Sequence, residues 1–147
     1  MRKAILFIAI GLIVIGIIIF EPFRSAPPSP EVSTENTGIP LTQGSYCWMG
    51  LLRGQCVDYV YTTPMEMAQK HNPTIVSPNE EVTIDFKKKP ISKTLQVNQW
   101  IDENNVQAIQ IENDVIRAPN EKGIYIYHVV ANWKQGDGNW AFSIEVE

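Results

Sequence analysis

Residues 123–146 read GIYIYHVVANWKQGDGNWAFSIEV and form the most strand-prone stretch of the chain. From Tyr125 to Trp133 every second residue is apolar or aromatic, and the same alternation returns over residues 140–146. A period of two places such residues on one face of a strand. The intervening KQGDGN supplies glycines for a turn. The stretch therefore predicts a β-hairpin in which one face of the first strand carries Tyr125, Tyr127, Val129, Ala131 and Trp133, and one face of the second carries Trp140, Phe142, Ile144 and Val146.

Shorter segments upstream repeat the alternation, at residues 82–86, 94–100 and 107–111. One short helix is predicted at Thr63-Pro64-Met65-Glu66, which combines a capping box with a proline at the first helical position. Short strands separated by turn residues, with almost no helix, are typical of a β-sandwich. The predicted fold class is therefore all-β, a β-sandwich with one short helix.

Residues 120–127, NEKGIYIY, resemble the Asp-x-Gly/Ala-x-Tyr-x-Cys segment that opens strand F of immunoglobulin folds. Tyr125 stands at the tyrosine-corner position, and Tyr127 stands where the inter-sheet cysteine would be. With GSYCW, CVDY and the closing hairpin, the chain from about residue 44 onward resembles a group of small, largely uncharacterised exported proteins of Gram-positive bacteria. The resemblance implies an immunoglobulin-like β-sandwich outside the cytoplasm. Its motifs are structural, so it carries over no catalytic residues.

Residues 4–20 form an unbroken apolar run, AILFIAIGLIVIGIIIF, preceded by Arg2 and Lys3. A helix of this length spans roughly 25 Å, near the lower limit for crossing a bilayer core. Small residues are missing at the positions a signal peptidase needs, so we expect an uncleaved signal anchor; a cleaved signal is the alternative. The basic residues before the run predict a cytoplasmic N-terminus and a single-pass chain with its C-terminal domain outside the cell membrane.

Residues 21–44 are rich in proline, serine and threonine, which predicts an extracytoplasmic stalk. The chain is thus divided into an anchor over residues 1–20, a stalk over 21–44 and a sandwich domain over 45–147. Two cysteines in an exported domain predict a disulfide between Cys47 and Cys56. The formal net charge of −4 argues against a nucleic-acid partner. The lysines at 87–89 are interpreted as a solvated turn, with a site for anionic lipid or cell-wall polymer as the alternative.

Residue types that carry catalysis are sparse. His71 lies beside a proline-terminated turn, and His128 alternates with apolar residues in the longest strand. The chain contains no G-x-S-x-G nucleophile elbow and no glycine-rich phosphate loop. The carboxylate pairs Asp102/Glu103 and Glu112/Asp114 fit solvated turns, and Asp137 lacks the spaced oxygen ligands of a calcium loop. We expect no enzyme activity, no cofactor and no metal.

Two features are candidates for binding. The segment between the cysteines would present Leu51, Leu52 and Arg53 at a rigid loop tip, although these leucines could instead cap the core. Trp133 and Trp140 flank the final turn and could contact a sugar or a protein, although core packing is the competing interpretation.

The first functional hypothesis is a membrane-tethered binding module that docks an unknown envelope protein through the loop between the two disulfide-bonded cysteines. The alternatives are a sensor or protease-inhibitor-like domain acting on exported proteins, for which residues 72–75, NPTI, are the candidate loop, and a cell-wall or sugar-binding module.

Overall fold

The computed structural model describes residues 2–20, 24–51 and 53–147. Helix α1 covers Arg2–Phe20 and helix α2 covers Pro64–Ala68. The strands are β1 Glu31–Ser33, β2 Thr42–Gln43, β3 Tyr46–Met49, β4 Gly54–Val57, β5 Thr74–Val76, β6 Glu81–Asp85, β7 Gln96–Asp102, β8 Asn105–Ile109, β9 Val115–Arg117, β10 Gly123–Trp133 and β11 Gly136–Val146.

The strands form two sheets that enclose one core. The smaller sheet has the order β1-β6-β9, and the larger has the order β4-β3-β11-β10-β7-β8. The short strands β2 and β5 also pair with β11, β5 in the parallel direction. Buried side chains from both sheets, such as Ile84 and Val129, belong to the same apolar cluster. The prediction of an all-β sandwich with one short helix in the domain is confirmed.

The closing hairpin follows the predicted faces. Strands β10 and β11 pair over their whole length, from Gly123 opposite Val146 to Trp133 opposite Gly136. The turn is shorter than predicted, because only residues 134–135 lie between the strands and the glycines of KQGDGN belong to β11. At the start of β10, the Tyr125 hydroxyl donates a hydrogen bond to the carbonyl oxygen of Glu121 at 2.9 Å.

The stalk prediction for residues 21–44 is wrong for the part that follows Ala26. Val32 and Ile39 are buried in the core, and Val32 pairs with Ile84 of β6. Strand β2 hydrogen-bonds to β11 through Gln43 opposite Trp140. Single apolar residues in a polar, proline-rich stretch show no period, yet both Val32 and Ile39 are buried in the core. Residues 21–23 lie outside the described part of the chain.

Helix α1 covers the apolar run at the N-terminus. Helix α1 is 19 residues long, and its described side chains from Ile5 to Ile17 are uncharged. Within the described residues, no helix is found long and apolar enough to cross a membrane, so the span predicted over residues 4–20 is not confirmed.

Helix α2 begins as predicted, with the Thr63 hydroxyl oxygen accepting a hydrogen bond from the Glu66 amide at 3.3 Å. It packs Met67 and Ala68 on the outer face of the larger sheet.

Candidate functional site

The hairpin of β3 and β4 is closed at two levels. Cys47 and Cys56 lie directly opposite each other and form the predicted disulfide. At the base, the Ser45 hydroxyl donates a hydrogen bond to the Asp58 carboxylate at 2.8 Å and accepts one from the Tyr59 amide at 2.9 Å. Both cysteines are exposed, so the disulfide adds a covalent tie to the hairpin without filling the core. The hairpin is a rigid support for the residues at its tip.

The tip carries exposed apolar side chains. Leu51 is 69% exposed and Met49 is 64% exposed, while Arg53 is exposed beside them. Leu52, the third residue predicted for this site, lies outside the described residues. We call Met49, Leu51 and Arg53 the hairpin tip. Leu51 does not fold back over the core, so the capping alternative is wrong for this residue.

The hairpin is anchored to the larger sheet at one glycine. Gly136 of β11 lies opposite Trp48, and the Met49 amide donates a hydrogen bond to the Gln135 carbonyl oxygen at 2.6 Å. A β-carbon at Gly136 would overlap the Cys47 carbonyl oxygen and lie 2.9 Å from its carbonyl carbon. Glycine is therefore required for β3 to approach β11 this closely.

The predicted aromatic contact at Trp133 and Trp140 is wrong, because both side chains are buried, with exposures of 6% and 0%. Both rings pack edge-on against Phe86, and Trp133 also packs edge-on against Trp48, with centroids 5.2–5.7 Å apart. The Trp133 indole N–H donates to the Lys88 carbonyl oxygen at 2.9 Å. The alternation in β10 and β11 points both tryptophans inward, so they hold the sheets together and present no surface to a ligand.

A polar groove on the outer face of the larger sheet was not predicted. It has a volume of about 360 Å³ and lies between α2, the start of β3 and the middle of the β10–β11 hairpin. His128 and Asn139 are its central polar side chains. The segments that line it are far apart in sequence and share no motif, so no local signal could have found it. Its other lining residues include Ser45, Tyr61, Thr62, Thr63, Met67, Val130 and Asp137.

Hydrogen bonds orient the central residues of this groove. The Asn139 side-chain amide donates to the Ser45 carbonyl oxygen at 2.6 Å, which leaves the Asn139 side-chain oxygen facing Nε2 of His128 at 3.2 Å. Nε2 must therefore carry the proton, and Nδ1 of the neutral ring is an acceptor. Burial lowers the pKa of His128, an effect that the hydrogen bond with Asn139 partly opposes. The groove thus presents a neutral imidazole at pH 7.

Asp102 and Asp114, two of the other polar residues predicted from the sequence, make local contacts within the fold. Asp102 accepts a hydrogen bond from the Asn104 amide at 2.8 Å within a turn. Asp114 and Asp85 each accept a hydrogen bond from Lys89 at 2.7 Å, which raises the pKa of that lysine and supports the interpretation of residues 87–89 as a turn. His71 is exposed.

The described residues contain no group of three or more His, Cys, Asp or Glu side chains arranged to hold a metal ion. The expectation that the chain is not an enzyme stays a prediction. No protein-family model, curated protein or solved structure matches this chain.

Proposed function

We propose that this protein is a non-catalytic binding module that docks a partner protein of the cell envelope through the hairpin tip. One observation carries the proposal: Met49 and Leu51 are exposed on a hairpin that is tied by a disulfide and closed at its base. Exposed apolar side chains on a rigid support bind at low cost in conformational entropy. Arg53 adds a residue type enriched at binding hot spots.

The proposal includes a membrane tether and an extracytoplasmic location. From Ile5 to Ile17 the described side chains of α1 are apolar and mostly exposed, with Phe7 at 72% and Ile5 at 66%. Such a surface is unfavourable in water and favourable in lipid. The basic residues Arg2 and Lys3 at its start favour a cytoplasmic N-terminus. The disulfide fits an oxidising compartment.

We also propose that the domain is immunoglobulin-like and related to the small exported Gram-positive proteins that it resembles. The support is the division of strands between the sheets, since β6 and β9 lie in one sheet while β7, β10 and β11 lie in the other. The hydrogen bond from Tyr125 to the backbone four residues upstream is the contact expected of a tyrosine corner.

The test is crosslinking of the full chain in intact cells with two matched variants. Leu51→Lys places a charge at the hairpin tip, and Ile124→Lys places the same charge at a residue of similar exposure, 60%, at the far end of β10. Ile124 lies nine positions before Trp133, which is roughly 30 Å along the strand. We expect Leu51→Lys to abolish the crosslinked adduct and Ile124→Lys to retain it. An adduct that persists in both variants would contradict the proposal.

The groove favours a second candidate function, binding of a cell-wall saccharide. Hydroxyl, amide and imidazole groups converge there beside the apolar Met67 and Val130, which suits a ligand with both polar edges and an apolar face. The full chain in detergent should bind isolated cell-wall material, and Asn139→Ala should weaken this binding. Asn132→Ala, on the same face but outside the groove, is the control. Equal retention of both variants would count against a saccharide ligand.

A further inference from the structure

Strand β8 leaves one edge of the larger sheet open. Among the described residues β8 pairs only with β7, in a regular register from Val97 opposite Ile109 to Trp100 opposite Val106. Residues 105–111 read NVQAIQI, without charge or proline. Natural sheets usually protect an edge with lysine, proline or a bulge, because unpaired backbone groups recruit another strand. A register shift lies on the neighbouring strand, between Trp100 and Asp102 of β7, while the β8 edge from Val106 to Ile109 has no lysine and no proline.

A cleft adjoins this edge where the two sheets do not close. It lies between β8 and β9 and has a volume of about 570 Å³. Ile109 and Val115 are half-buried residues that line it, while Glu112 and the ion pair of Glu81 with Arg117 lie at its exposed margin. A strand added to β8 would direct alternate side chains toward this cleft. Apolar side chains at those positions would cover Ile109 and Val115.

The charged residues near the open edge of β8 determine which kind of strand can pair with it. Residues 101–116 contain no lysine or arginine, and Asp102, Glu103 and Glu112 form no salt bridge within the described residues. Two copies of β8 paired antiparallel about Gln107 would bring the turn that carries Glu103 in one copy toward Glu112 of the other, at both ends of the pair. Bringing like charges together is unfavourable, so a second copy of this chain fits poorly. A strand with basic ends fits these carboxylates.

From this geometry we propose that the β8 edge accepts an extended segment of another protein, one with alternating apolar residues and a lysine or arginine at each end. The segment adds a strand to the larger sheet through main-chain hydrogen bonds, and its inward side chains fill the cleft. This site shares no residue with the hairpin tip, and it gives the protein a second interaction surface beyond the proposed function.

The test uses two labelled peptides, KVTVTVTVK and EVTVTVTVE, which have the same strand propensity and opposite terminal charge. Fluorescence anisotropy with the full chain in detergent should show at least fivefold tighter binding of the lysine peptide. The double variant Glu103→Lys/Glu112→Lys should reverse this preference. Leu51→Lys should leave it unchanged, which separates failure of this site from failure of the hairpin tip.

Hydrogen exchange locates the bound peptide. The amides of residues 105–109 should gain protection when the lysine peptide is added. Absence of binding at 1 mM, equal affinity for both peptides, or protection confined to β4 would each overturn the proposal. Protection of residues 105–109 that rises with chain concentration in the absence of peptide would also overturn it, because a second copy would then be the occupant.

Discussion

Substitution of Gly136 by alanine tests how the disulfide-linked β3–β4 hairpin is attached to strand β11 of the larger sheet. The new β-carbon would overlap the backbone of Cys47 and lie 3.1 Å from the α-carbon of Trp48. Backbone atoms cannot move aside by changing a rotamer, so β3 must separate from β11 at this point. The φ angle of 154° at Gly136 adds strain, because side chains rarely adopt that conformation.

The cost follows from the contacts that this separation breaks. Trp48 is 3% exposed and packs edge-on against Trp133. Exposing a large apolar side chain costs about 1.5–3 kcal/mol. Losing the hydrogen bond from the Met49 amide to Gln135 costs about 1 kcal/mol more. The expected total is about 2.5–4 kcal/mol, a large part of the roughly 5–15 kcal/mol that stabilises a typical domain.

The assay is urea denaturation of the full chain in detergent, followed by tryptophan fluorescence, together with hydrogen exchange of β3. Gly38→Ala is the matched control, because nothing lies within 4 Å of a β-carbon at Gly38. The control should change the free energy of unfolding by less than about 0.5 kcal/mol. Gly136→Ala should lower the midpoint or, if only the hairpin detaches, remove the protection of β3. An unchanged midpoint together with unchanged protection would refute the reasoning.

Three further predictions use the same denaturation assay. In the double variant Cys47→Ala/Cys56→Ala, the free energy of unfolding should fall by about 2.7 kcal/mol, which is the chain-entropy value for a loop of about ten residues. Both cysteines are exposed and contribute little packing, so no further loss is expected. A loss below about 0.5 kcal/mol would contradict this. Tyr125→Phe should lower the free energy of unfolding by about 1 kcal/mol, because it removes the hydrogen bond to the Glu121 carbonyl oxygen. An unchanged urea midpoint would contradict this prediction. Burial lowers the pKa of His128 below the unfolded value of about 6.5, so the unfolded state binds the proton more readily. The free energy of unfolding should therefore keep its full value above about pH 6.5 and fall as the pH drops toward the pKa of His128 in the folded state. His128→Gln should reduce this dependence of the free energy of unfolding on pH, measured between about pH 7.5 and 5.5. An identical pH dependence in both proteins would count against the prediction.

The sequence determined the features that depend on local pattern. Alternation in residues 123–146 specified which side chains of the final hairpin share a face, because successive side chains of a strand point to opposite sides of the sheet. The motif Thr63-x-x-Glu66 marked the start of α2, since capping needs only neighbouring residues. The two cysteines specified the disulfide because they were the sole available pair.

The tertiary structure decided whatever depends on pairing between distant segments. Strands β1 and β2 have three and two residues, too few to show a period, so their segment could not be distinguished from a stalk. Whether Trp133 and Trp140 were buried or available to a ligand depended on contacts with Phe86, which follows β6 of the other sheet.

The groove around His128 and the open edge of β8 likewise depend on neighbours that the local sequence does not contain. Asn139 reaches the Ser45 carbonyl across 94 residues, and β8 is an edge only because no other described strand lies beyond it. The sequence thus determined the closing hairpin and the side chains that share each of its faces, through short-range stereochemistry. Long-range backbone pairing alone decided which surfaces remained free to bind.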